Sequence, residues 1–258
     1  MSPFSKQIDS QWYDFPCGKC EPCLKRRVSG WSFRLVKEGQ RAISAFFITL
    51  TYNTDYVPIT KNGFMSLNKR DLQLFYKRLR KCSPKDSKIK YYSVGEYGGK
   101  TMRPHYHAII FNADIRNIEK AWRLGEIHCG QVSEASIGYT LKYVCKEGKI
   151  PQHKNDDRVP EFATMSKRLG DNYLTEKTIR WHKADLKNRY YTPLKDGKKI
   201  ALPRYYKDKI YCPEEREYIG QMLQLNNDKN HVVLTEQQRI DLFKQKNKHK
   251  YSRLTTKL

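Results

Sequence analysis

A chain of 258 residues is long enough to bury a real core, as one large domain or as a domain of about 100 to 150 residues with extensions. Fifty Lys and Arg against 27 Asp and Glu leave a net charge of +23, a field that concentrates polyanions, nucleic acid first and anionic membrane as the alternative. The longest apolar run, Ala42 to Leu50, is too short to span a bilayer and the first six residues hold no apolar signal core, so a soluble protein kept in a reducing cytoplasm is expected, with no membrane partner.

Seven cysteines are an odd number, and Cys17, Cys20 and Cys23 are bunched at C-x-x-C-x-x-C spacing. That suits thiols or a metal better than a disulfide framework. Three thiolates are a candidate structural Zn²⁺ site if Cys82, Cys129, Cys145, Cys212 or a histidine folds back as the fourth ligand, and three reduced thiols otherwise. The basic segment Lys25-Arg26-Arg27 and an amphipathic stretch through Trp31, Leu35 and Val36 follow.

Phe46 to Tyr52 is a strand by propensity and ends in polar Asn53-Thr54-Asp55. Asn68 then caps a helix in which Leu72, Phe75, Tyr76 and Leu79 form one apolar face opposite Lys69, Arg70, Lys77 and Arg78. After the break at Pro84 and Asp86, Ile89 to Tyr97 is a second strand, and Gly98-Gly99 leads by a hairpin into Arg103-Pro104-His105-Tyr106-His107-Ala108-Ile109-Ile110-Phe111. A short helix around Ile115 to Arg123, a strand from Gly125 to Val132 and a helix from Ala135 to Glu147, ended by Gly148, complete the order β, α, β, β, α, β, α. Strands joined by helices and by a hairpin imply an α+β fold with a largely antiparallel central sheet and helices packed on it. Beyond Lys149 the periodicity weakens. Basic residues there interleave with Trp181, Tyr190-Tyr191 and Tyr205-Tyr206, and residues 235 to 246 again have a helical pattern. Three regions are therefore expected: an N-terminal Cys-rich basic extension over 1–43, a catalytic domain over 44–150, and a basic, aromatic C-terminal region over 151–258 suited to single-stranded nucleic acid.

Chemistry concentrates at two places. Successive strand side chains point to opposite faces, so His105 and His107 share a face as two neighbouring imidazoles while Tyr106 looks the other way. Glu96, near the end of the preceding strand, can add a carboxylate, with Glu126 and Asp55 in reserve; two nitrogens and a carboxylate leave open positions on a divalent ion. The helix Ile137 to Lys146 divides into an apolar stripe, Ile137, Leu141, Val144 and Cys145, and an opposite stripe of Tyr139, Lys142, Tyr143 and Lys146. Two phenols and two ammonium groups on one stripe suit phosphate chemistry: the lysines attract the anion and favour phenolate, and either phenol could be the nucleophile.

Together these motifs resemble the HUH-type rolling-circle replication initiators, most closely those of microviruses, in particular the gokushovirus branch. The residues that carry the resemblance are Thr49-Leu50-Thr51-Tyr52, Gly95-Glu96-Tyr97-Gly98, Arg103-Pro104-His105-Tyr106-His107 and Tyr139-x-x-Lys142-Tyr143-x-x-Lys146, in that order. Pro16-Cys17-Gly18-x-Cys20 and Ala163-Thr164-Met165-Ser166 extend it over about residues 15 to 175. The resemblance implies an HUH endonuclease-like fold and a site-specific single-strand DNA endonuclease and ligase that nicks a replication origin in a host bacterial cytoplasm. In it His105, His107 and Glu96 hold Mg²⁺ or Mn²⁺, and a tyrosine forms a 5′-phosphotyrosyl link. The sequence contains no G-x-x-x-x-G-K-[ST] phosphate loop, so a host helicase is expected alongside the host polymerase. Two other readings of the residues are a zinc hydrolase with structural tyrosines and a non-catalytic basic protein that binds DNA or a capsid.

Overall fold

The computed structural model describes residues 4–8, 11–15, 18, 20–145, 150–194 and 197–229, with backbone alone at 4–8, 11–15, 143–145 and 224–229. In chain order the elements are β1 (Phe4–Ile8), β2 (Gln11–Phe15), α1 (Glu21–Arg41), β3 (Ala45–Thr51), α2 (Lys69–Cys82), β4 (Lys90–Tyr97), β5 (Pro104–Phe111), α3 (Ile115–Ala121), β6 (Ile127–Gln131), α4 (Glu134–Cys145), β7 (Phe162–Met165), α5 (Glu176–Lys183), β8 (Tyr191–Pro193), β9 (Lys199–Ala201), α6 (Arg204–Ile210) and α7 (Pro213–Lys229). The β, α, β, β, α, β, α order expected from the sequence over 44–148 is observed from β3 to α4. The helical pattern at 235 to 246 and the helix end at Gly148 lie outside the described residues.

Five strands form one antiparallel sheet in the order β6-β3-β5-β4-β7, so the His-x-His strand is central. β5 owes that place to its composition: from Tyr106 to Phe111 every residue is buried, which only a strand flanked and covered on both faces achieves. One face, carrying Ile48, Leu50, Tyr106, Ala108 and Ile110, packs under the apolar stripe of α2 (Leu72, Phe75, Tyr76, Leu79) and under Ile118, Ala121 and Trp122. The other face, carrying Tyr92, Val94, Ile109 and Phe111, packs under Leu35 of α1 and Ile137 and Leu141 of α4. Each such side chain taken from water contributes about 1.5 to 3 kcal/mol, so the two layers seat their helices firmly.

Local signals fix the helix starts. The Asn68 side chain accepts from the Arg70 N–H at 2.9 Å, and Asp114 does the same for Arg116 at 2.8 Å. Ser133 and Ser136 cap α4 reciprocally, each hydroxyl accepting from the other's backbone N–H at 3.2 and 2.8 Å. β4 runs close under its covering layer at Gly95, where a Cβ would lie 3.0 Å from Leu67 and 3.2 Å from the Tyr106 ring. The chain divides after Ile210 into two units. In the second, α7 begins after Cys212, whose backbone N–H donates to Glu215 at 2.9 Å. No described helix is long and apolar enough to cross a membrane.

Candidate metal and tyrosine site

The antiparallel register sets Glu96 opposite His105 and Val94 opposite His107 across β4 and β5, and Thr49 opposite His107 across β3 and β5. All the polar members of this set point to the face covered by α1 and α4. His107 Nε2 lies 2.9 Å and His105 Nε2 2.8 Å from the same oxygen, Oε1 of Glu96. Glu96 and His107 are buried and His105 half-buried.

The second nitrogen of each ring defines its tautomer. His105 Nδ1 faces the Arg103 carbonyl at 3.2 Å, which can only accept, so Nδ1 carries the hydrogen. A neutral His105 then offers its Nε2 lone pair towards Glu96, where a lone pair and a carboxylate oxygen meet. His107 Nδ1 is 2.9 Å from Thr49 Oγ1, a hydroxyl able to accept from Nδ1–H and leave Nε2 bare. Two nitrogen lone pairs and one carboxylate oxygen converging within 4.8 Å are the donor set of a divalent cation, and the partners on Nδ1 are the outer contacts that ligating histidines use. Burial pushes the Glu96 carboxyl up, but the hydrogen bonds from His105 and His107 outweigh it and hold the group at about 2. Glu96 is therefore a carboxylate throughout the neutral range.

Among the described residues this is the group of three metal-ligating side chains that could hold an ion. The reserves lie elsewhere: Glu126 is exposed, 3.9 Å from His128, and Asp55 is exposed in a short 3₁₀ turn. Cys20 precedes α1 and Cys23 lies in its first turn, while Cys17 falls outside the described residues, so the three-cysteine cluster is not defined there.

The tyrosine helix lies over the histidines. Tyr139 is 44% exposed, and its ring stands edge-on to His107 at 5.0 Å and 90° and to Phe47 at 6.1 Å. Phe47 in turn stacks on His107 at 5.7 Å with 9° between planes. Ile137 and Leu141 are buried beneath α4 and Lys142 is exposed, as the two-stripe pattern requires. Tyr143 is helical in backbone; its side chain, and Lys146 entirely, lie outside the described residues.

The far face of β5 is structural. Tyr106 Oη donates to the Asn68 carbonyl and accepts from the Asn68 N–H, both at 2.9 Å, and sits 2.8 Å from Tyr52 Oη. Tyr52 also donates to Asp71 at 2.8 Å. Burial first, then Tyr106 and Asp71, push the Tyr52 phenol far above its ordinary value, which disqualifies it as a nucleophile. Two contributors went unassigned in the sequence, Thr49 and Phe47. Their signal was the period-2 alternation of β3, readable only once β3 is known to pair antiparallel with β5.

The geometry defines a class: an α+β protein whose central strand carries a cation-binding cluster under a tyrosine-bearing helix. Comparison with known proteins narrows it. Residues 45–148 match the family model of the ORF2-type replication-associated proteins. The replication-associated proteins ORF2 of Spiroplasma virus 4 and VP4 of Bdellovibrio phage phiMH2K are each 29% identical over 79% of this chain, covering 68% and 69% of their own lengths. Replication-associated protein ORF4 of Chlamydia phage 1 is 26% identical over 78% of this chain and 55% of its own. No solved structure matches. The resemblance to replication proteins of microvirus-like phages, drawn from the order of the motifs, therefore stands.

Proposed function

We propose that this protein starts the replication of a small phage genome as a metal-dependent, site-specific single-stranded DNA endonuclease and ligase. The observation that carries the reading is the convergence of His105 Nε2 and His107 Nε2 on Glu96 Oε1 directly beneath the ring of Tyr139. A Mg²⁺ or Mn²⁺ ion held by those three residues would supply polarisation of the scissile phosphodiester.

The rest falls to the chain's own groups. The phenol oxygen of Tyr139 or Tyr143 attacks phosphorus, the bond from phosphorus to the 3′ oxygen breaks, and the phenol's proton ends on that oxygen. The products are a 3′-hydroxyl primer and a 5′-phosphotyrosyl link. Lys142, with Lys146 one turn on, draws the phosphate in and lowers the cost of the phenolate, since a free phenol with a pKa of about 10 attacks poorly at neutral pH. Residues four apart on a helix have Cβ atoms about 6 Å apart, so the two phenols can serve one phosphate in turn. One tyrosine holds the 5′ end; the other cuts the regenerated origin a round later, and the released 3′-hydroxyl attacks the first linkage to close a circle. Duplex unwinding is left to a host helicase, and extension of the primer to a host polymerase.

His105→Ala and His107→Ala should each abolish cleavage of an origin oligonucleotide while the protein stays folded and binds DNA, because binding rests on many distributed cations. Circular dichroism, a binding titration and a cleavage assay with Mn²⁺ check this together. Wild-type cleavage by either variant would remove the cluster from the mechanism.

A further inference from the structure

We propose that Arg26, Arg27 and Lys207 form a phosphate-binding site for the backbone of a nucleic-acid strand at the junction of α1 and α6; the inference rests on the DNA reading above. The two helices meet closely. A Cβ on Gly30 would lie 3.5 Å from Pro203, the Phe33 and Tyr206 rings are 5.9 Å apart, and the Arg34 guanidinium sits 4.1 Å over Tyr205. Arg26 lies one helical turn before Gly30 and Lys207 one turn after Pro203, so the same packing brings these two cations towards each other. Burial first, and the Arg26 charge second, hold the Lys207 ammonium below its usual range, with Asp208 offsetting part of the effect.

The neighbouring acids are engaged by other cations. Glu21 pairs with Lys25 at 2.8 Å and Asp208 with Arg204 at 3.6 Å. None of the side chains of Arg26, Arg27 and Lys207 makes an ion pair or hydrogen bond among the described residues. A partly desolvated ammonium facing a guanidinium is a cost in the free protein that a bound anion removes. Guanidinium forks beside an ammonium match the several oxygens of a phosphate better than a single carboxylate.

The cluster also lies on the catalytic side of the sheet. Arg27 is close enough to Tyr92 for its charge to draw that phenol down against the effect of burial, and Tyr92 shares its face with Glu96 four residues along β4, roughly 13 Å away at about 3.3 Å per residue. A strand with one phosphate at the triad therefore reaches this cluster a few nucleotides away.

The test is the salt dependence of binding of the full chain to a mixed-sequence single-stranded oligonucleotide, read by fluorescence anisotropy. Arg26→Gln and Lys207→Gln should each lower the slope of log Kd against log salt by about 0.7, one phosphate's share, and weaken binding roughly tenfold at low salt. Lys207→Arg should restore both. Lys81→Gln, the same charge removed from the α2 layer on the other side of the sheet, should change them less. Mn²⁺ affinity at the triad should be unchanged throughout, and Lys207→Gln should raise the melting temperature of the free protein. Should Lys207→Gln fail to fold, exposed Arg26 carries the test. Wild-type slope and affinity in Arg26→Gln, or an equal loss in Lys81→Gln, overturns the site while leaving the DNA reading intact. A wild-type chain that does not bind single-stranded DNA overturns both.

Discussion

Each imidazole of the β5 pair is held by what its other nitrogen touches. For His107 that is Thr49 Oγ1 at 2.9 Å, and removing the hydroxyl leaves the Nδ1–H unpaired and the ring free to turn. Thr49→Val should weaken Mn²⁺ binding about 10- to 100-fold with the fold intact, and Thr49→Ser should recover most of it. Calorimetric titration with Mn²⁺ checks both; equal affinity in Thr49→Val would reduce Thr49 to a packing residue. The ligands themselves were legible because alternation in one strand puts His105 and His107 on one face, and a hairpin returns Glu96 beside them. Thr49 was not, since its role depends on a pairing between strands 58 residues apart whose register no local signal sets. Tyr143 and Lys146 were named from helical spacing alone, and that spacing remains their support.

At the scale of elements, the strong periodic signals held from β3 to α4. What escaped was β7: four residues, Phe162–Met165, too short for alternation to stand out, and placed at the sheet edge by pairing with β4. The packing of α5 was equally hidden. Its His182 is wholly buried; the Tyr173 hydroxyl lies 2.9 Å from Nε2 and the Arg189 carbonyl 2.5 Å from Nδ1. Since that carbonyl can only accept, Nδ1 carries the hydrogen and Nε2 accepts from Tyr173. Burial lowers the pKa of this imidazole and the Arg189 bond raises it, with burial the larger. The folded state thus prefers the neutral ring, the unfolded chain takes up the proton first, and stability is lost as pH falls below about 6.5, at up to about 1.4 kcal/mol per pH unit. His182→Gln should flatten the fall in melting temperature between pH 7 and pH 5, and an unchanged pH profile would show that the proton is taken up elsewhere.

On the scale of the whole molecule, a charge of +23 gathers DNA without choosing where to cut it. Choice and chemistry fall to one end of one sheet face, where α4 lies across the histidines. Central to that chemistry is a tyrosine of α4 that becomes covalently attached to DNA in a reaction that needs the cluster beneath it. The most direct measurement is to incubate the wild-type chain, His107→Ala and Tyr139→Phe/Tyr143→Phe with single-stranded circular DNA carrying the origin and Mn²⁺, denature, digest and map the peptide that retains a 5′ nucleotide. The prediction is an adduct on Tyr139 or Tyr143 in the wild type and none in either variant. An adduct that persists in the double variant, or cleavage of the circle with no adduct, would contradict it.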